Sequence, residues 1–281
     1  MGQTLETLKK RKEYLICVDS DGCAMDTMDI KHISCFGPCM VKEWQLEEWG
    51  TSILERWNDI NLYTMTRGIN RFKGLAKMLR EVHETYTVIS GIEELEKWAE
   101  SSNELSNAAL KQAVEETGSA CLKKALDWSE AVNRAISRLD VSVKKPFEGV
   151  KEGLARAHEC ADVAIVSSAN PQAVLEEWER CGLLEYVDIM LAQDAGSKAY
   201  CIQELLKKGY DKDKVLMVGD APGDRSAAEK NGVLFYPVCV KHEKESWQEF
   251  AQTALTKLKD GAYRGTYQEK KTQQFVDNLT R

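Results

Sequence analysis

Tyr14-Leu15-Ile16-Cys17-Val18-Asp19-Ser20-Asp21-Gly22 runs from an apolar segment straight into two acids and a glycine. A short uninterrupted apolar run predicts a buried strand, and Asp21-Gly22 is loop chemistry. The strand therefore delivers two carboxylates, two residues apart, at its C-terminal end. Carboxylates held this close repel, so they either face water in a turn or share a cation or a proton.

Outward from this point the same pattern recurs only much later. Apolar runs at 162–166, 186–191, 214–218 and 233–236 predict four more strands, each ending in a small or polar residue. Helical patterns at 147–159, 171–181, 197–208 and 224–231 alternate with them, the second opened by Pro171 and the last stopped by Gly232. Alternating strands and helices predict an α/β fold, a doubly wound parallel sheet covered on both faces. Ligands bind such sheets beyond the carboxyl ends of the strands, where Asp19, Ser167 and Asp220 would meet.

Two of these strand ends repeat the chemistry of the first. Gly219-Asp220-Ala221-Pro222-Gly223-Asp224 carries a second pair of acids, with glycines that let backbone approach a ligand. Its plainer reading is a turn followed by Asp224 capping a helix that begins at Arg225. Ser167 and Ser168 offer hydroxyls and amides suited to an anion, with simple capping as the other reading of Ser168.

Residues 26–145 read differently, as an all-helical domain inserted between the parts of the α/β core, 1–25 and 146–281. Phe72, Leu75, Leu79 and Val82 form one stripe at helical spacing. Leu122, Ala125, Leu126, Val132, Ile136 and Leu139 form a second, and Trp44, Ile53, Leu54 and Trp57 a third, so several helices pack as a bundle. Thr85-Tyr86-Thr87-Val88-Ile89 is the one ambiguous strand signal. Beyond Tyr263 the chain is polar and predicts a peripheral helix or a loose tail.

The 281 residues carry 38 Lys and Arg against 45 Asp and Glu, a net charge of −7 that gives no general attraction to nucleic acid. No run approaches the ~20 apolar residues of a membrane span, and the first residues lack the pattern of a secretory signal. The nine cysteines are scattered in apolar runs, as reduced core thiols are. A cytoplasmic protein, monomeric or homodimeric, is the resulting expectation.

Taken in order, these motifs resemble the haloacid dehalogenase-like superfamily, in its phosphohydrolase and phosphomutase branch with a helical cap. Its opening D-x-D-G-T-L-x-D-S reads here as Asp19-Ser20-Asp21-Gly22-Cys23-Ala24-Met25-Asp26-Thr27, with Cys and Ala departing from the pattern. The resemblance implies Asp19 as nucleophile, Asp21 as general acid and base, Ser167 and Lys198 as binders of the transferring phosphoryl group, and Mg²⁺ held by Asp19, Asp21, Asp220 and Asp224. It implies hydrolysis of a small phosphorylated metabolite through an aspartyl-phosphate. The same motifs serve a phosphomutase of the β-phosphoglucomutase type or a non-catalytic binding protein. A carbon–phosphorus hydrolase would want a Schiff-base lysine, for which Lys31 and Lys42 are candidates. Cap residues in this family complete the substrate pocket, so Arg67 and Arg71, beside Tyr63, Thr64 and Thr66, are substrate-binding candidates. His32, Cys35 and Cys39 offer a weak soft-metal reading at irregular spacing.

Overall fold

The computed structural model describes residues 4–280; residues 1–3 and 281, at the two ends of the expected core, lie outside the described residues. The chain divides into two compact units, Met1–Met28 with Ser142–Arg281 and Asp29–Val141.

In the first unit β1 (Tyr14–Val18), β4 (Ala161–Val166), β5 (Ile189–Leu191), β6 (Val215–Gly219) and β7 (Leu234–Pro237) form a parallel sheet in the order β5-β4-β1-β6-β7. A second, two-stranded ribbon pairs β2 (Met25–Asp26) antiparallel with β3 (Lys145–Pro146), tying together the chain on both sides of the helical segment. The main strands read as unbroken apolar runs because helices cover both faces. Ile16, Val163 and Ile165 are fully buried, each contributing about 1.5–3 kcal/mol of hydrophobic stabilisation.

Register sets the site. Val18 is level with Ile165 on one side and with Val218 on the other. The ends of β1, β4 and β6 therefore lie side by side, and Asp19, Ser167 and Asp220 each follow one of them within two residues.

One expectation changes in this unit and one is narrowed. The strand expected over 186–191 is confined to Ile189–Leu191, because Leu184–Tyr186 winds into a 3₁₀ turn. Asp188 starts the pairing instead, its carboxylate accepting from the Val163 amide at 2.9 Å. Of the two readings of the polar C-terminal segment the helix holds and the loose tail does not: Thr266–Leu279 packs on the edge strand β7, with Phe275 fully buried and its ring 5.4 Å from Phe235. Its apolar residues are few but fall on one face.

The second unit is helical, with no strand among its described residues, and Val88 of the ambiguous segment is exposed. Its longest helices are Arg71–Thr85 and Ala120–Ser137. Phe72, Leu75, Leu79 and Val82 are all buried, as are Trp57 and Trp128, whose rings meet edge-on at 6.0 Å. The Trp128 indole donates to the Phe36 carbonyl at 3.1 Å, which satisfies its buried N–H. No described helix in either unit is long and apolar enough to cross a membrane.

Candidate active site

Asp19 leaves β1 with its amide donating to the Val218 carbonyl at 3.0 Å, which continues the sheet ladder one residue past the strand. The loop then closes on Ser20, whose carbonyl accepts from the amides of Cys23 at 3.3 Å, Ala24 at 3.0 Å and Met25 at 2.8 Å. Gly22 turns the chain at φ 81°, in the left-handed region that favours glycine. Asp21 is half-buried, and Thr27 Oγ1 donates to its Oδ1 at 2.6 Å. Two indoles brace the loop from outside: Trp178 Nε1 donates to Ser20 Oγ, and Trp247 Nε1 to the Cys23 carbonyl, both at 2.9 Å.

At the end of β6 the helix Pro222–Asn231 begins three residues earlier than expected, and Ala221, not Asp224, occupies the capping position. Asp224 sits in the first turn and reaches back, its Oδ2 accepting from the Asp220 amide at 3.2 Å and the Ala221 amide at 3.0 Å. That folds Asp224 against Gly219, where any Cβ would overlap its carboxylate. Cys23, in place of the family's threonine, is buried and directs its thiol to the Val218 carbonyl at 3.6 Å.

Lys198 opens the helix Lys198–Leu206, capped by Ser197. Its Nζ lies 2.8 Å from Asp19 Oδ2 and 2.5 Å from Asp224 Oδ1. Lys207 is exposed and pairs with Glu204 at the far end of the helix.

Three buried carboxylates, Asp19, Asp220 and Asp224, offer oxygens within 4.8 Å of one another, with the Lys198 ammonium between two of them. Burial, then Asp224 and Asp220, raise Asp19 to about 8 against the pull of Lys198. Burial opposes the charge on Lys198, but Asp19 and Asp224 outweigh it and raise its pKa. Carboxylate oxygens in excess of nearby cations form a hard, oxygen-only donor set, which fits Mg²⁺ better than a soft metal. Among the described residues this is the only such group; His32, Cys35 and Cys39 do not form one, and the His32 ring instead stacks on Phe36 at 4.5 Å.

Ser167 is buried at the end of β4, its Oγ accepting from the Ala169 amide at 3.2 Å. Ser168 is exposed and is no cap: Asn170 caps the next helix by accepting from Ala173 at 3.2 Å. In the helical unit Arg67 is buried and donates to the Leu62 carbonyl at 2.7 Å. Arg71 donates to Ser129 Oγ at 3.1 Å and Asn133 Oδ1 at 2.8 Å, and lies over the Phe36 ring. Burial among these neutral groups lowers its pKa to about 10.

The structure thus gathers Asp19, Asp220, Asp224 and Lys198 around one point and sets Asp21 and Ser167 on adjacent strand ends. Reading the sequence missed Thr27, Ser20, Trp178 and Trp247 as supports. Thr27 lies inside the quoted motif, but nothing in sequence marks the two tryptophans, which reach the loop from distant helices.

The family model of haloacid dehalogenase-like hydrolases matches residues 69–238. The chain belongs to that family. The match leaves Asp19 and Asp21 outside, so the assignment is independent of the motif that first suggested it. Solved structures resemble the chain at low identity. A protein labelled a phosphoglycolate phosphatase from Lactobacillus delbrueckii subsp. bulgaricus is 15% identical, with a TM-score of 0.52 over 81% of this chain and 86% of its own. A haloacid dehalogenase-like protein from Streptococcus pneumoniae is 11% identical (TM-score 0.49, 84% and 90%), and one labelled a β-phosphoglucomutase from Thermotoga maritima 16% identical (0.46, 80% and 84%). No curated protein sequence matches the chain significantly.

Proposed function

We propose that this hydrolase is a Mg²⁺-dependent phosphatase of a small phosphorylated metabolite, working through an aspartyl-phosphate on Asp19. The observation that carries the reading is the buried trio of Asp19, Asp220 and Asp224 with Lys198 bridging two of them. Asp19, the backbone carbonyl of Asp21 and Asp220 would hold Mg²⁺, with Asp224 beside them. Bound there, the ion would offset the mutual repulsion of the carboxylates and of an incoming phosphate.

Each residue has a chemical task. A carboxylate oxygen of Asp19 attacks phosphorus as the bond to the leaving oxygen breaks, and Asp21 gives that oxygen its proton. Asp21 then takes a proton from the water that attacks the acyl-phosphate, which releases phosphate and restores Asp19. The Thr27 hydroxyl, bonded to Asp21 Oδ1, aims that carboxyl. Lys198 and Ser167 bind the phosphoryl oxygens, and Asp224 holds Lys198 in place. Ser168, exposed beside Ser167, joins them in binding substrate.

Specificity is assigned to the helical unit. Arg71 suits it because its partners Ser129, Asn133 and Phe36 are all neutral, which leaves the guanidinium charge for an anion. Arg67 is the second candidate. The proposed setting is the cytoplasm, in keeping with nine free thiols, with the protein a monomer or homodimer and neither nucleic acid nor membrane as partner.

The test is phosphate release from a panel of phosphorylated metabolites and 4-nitrophenyl phosphate, with Mg²⁺ or EDTA. Mg²⁺-dependent release supports the phosphatase. Transfer of phosphate to a new position on a sugar phosphate, without release, would replace it by a mutase.

A further inference from the structure

A serine hydroxyl lies between the two proposed catalytic acids of this loop. Ser20 is fully buried. A hydroxyl there loses its water and must be compensated. Trp178 supplies the compensation: its indole is also fully buried, and Nε1 donates to Ser20 Oγ at 2.9 Å. Trp178 lies near the end of the helix Pro171–Arg180, which follows Ser167, so one helix joins the proposed phosphate-binding strand end to the acidic loop. Ser20 is also the hub of that loop, since its carbonyl gathers three amides.

We propose that Trp178 is a positioning residue for Asp21. The indole fixes the side chain of Ser20 and with it the two peptide planes that flank Ser20. One of those planes leads into Asp21, whose carboxyl must reach the leaving oxygen. Trp178 itself touches no reacting atom. The inference rests on the reading of Asp19 as nucleophile and Asp21 as acid, and adds that this acid is aimed from a remote helix.

Leaving-group dependence separates positioning from packing. An aryl phosphate such as 4-nitrophenyl phosphate expels a weakly basic oxygen that needs little protonation, whereas an alkyl phosphate depends on the acid. The ratio kcat/KM reports the first phosphoryl transfer for both. Trp178→Phe, Ser20→Ala and the double variant are compared with the parent on 4-nitrophenyl phosphate and on an alkyl phosphate that the parent hydrolyses. Each single variant is expected to lower kcat/KM for the alkyl ester roughly 10-fold or more, the range for supports of a reactive group, with the aryl ester changing less than about 2-fold. The double variant is expected to be no worse than either single one, because both remove the same bond. Equal losses on both esters, or no loss on either, would overturn the inference, as would losses that multiply in the double variant. Should Trp178→Phe fail to fold, Ser20→Ala decides the matter alone. A parent that releases phosphate neither from 4-nitrophenyl phosphate nor from any alkyl phosphate of the metabolite panel overturns the phosphatase reading itself, before any variant is compared.

Discussion

The Nζ of Lys198 stands 2.8 Å from Oδ2 of Asp19. The lysine arrives from the first position of a helix and the acid from the end of the central strand. Asp224 takes the other side of the same ammonium, so one cation serves two buried acids. Removing it by Lys198→Met leaves the carboxylates facing each other in a dry site. Unfolding in EDTA is expected to show a loss of about 3–5 kcal/mol, the usual result of breaking a buried pair, with added Mg²⁺ restoring part of it. Unaltered stability in EDTA would show that the lysine is not holding the acids together.

Stability should depend on pH through Asp19. Its pKa is raised to about 8 in the metal-free fold, against about 4 in an unfolded chain. Between those values the folded state binds more protons than the unfolded one, so this contribution is present at low pH and is lost as pH rises through the window. One proton contributes at most about 1.4 kcal/mol per pH unit. Tm measured in EDTA should therefore fall between about pH 5 and pH 8 more steeply in the parent than in Asp19→Asn. Mg²⁺ should raise the parent's Tm most at the upper end. Parallel profiles for the two proteins would contradict the assignment.

Gly219 is required by the shape of the site. A Cβ there would overlap the Asp224 side chain, whereas a Cβ at Gly223 would meet open space. Gly219→Ala is expected to cost about 1–3 kcal/mol in denaturant unfolding and to weaken Mg²⁺ binding, since Asp224 must move. Gly223→Ala serves as the comparison, expected within about 0.5 kcal/mol of the parent. Equal behaviour of the two variants would rule out the close approach.

Much of this architecture was legible in the chain itself. Apolar runs ending in acids marked β1 and β6, because a strand buried on both faces leaves little choice of residue until it emerges at the site. Helical spacing marked Phe72, Leu75, Leu79 and Val82 as one buried face. What stayed hidden depended on partners distant in sequence. The run at 186–191 looked like one strand because the pairing of Asp188 with the Val163 amide is invisible locally. The C-terminal segment left helix and loose tail open because it is polar and only a few of its residues, Phe275 among them, are buried. Asp224 read both as a cap and as a member of the acidic site, but its turn back against Gly219 shows only in the structure. Trp178 gave no signal, since its hydrogen bond to Ser20 joins segments that only the fold brings together.

The central claim is that Asp19 takes the phosphoryl group, and the most direct measurement is phosphate release by the parent and by Asp19→Asn, in Mg²⁺ and in EDTA, with both proteins shown to be folded. The account predicts release by the parent in Mg²⁺ alone and none above background from the variant, since the amide preserves the shape of the side chain but is no nucleophile. Phosphate release by Asp19→Asn at the parent's rate would contradict it.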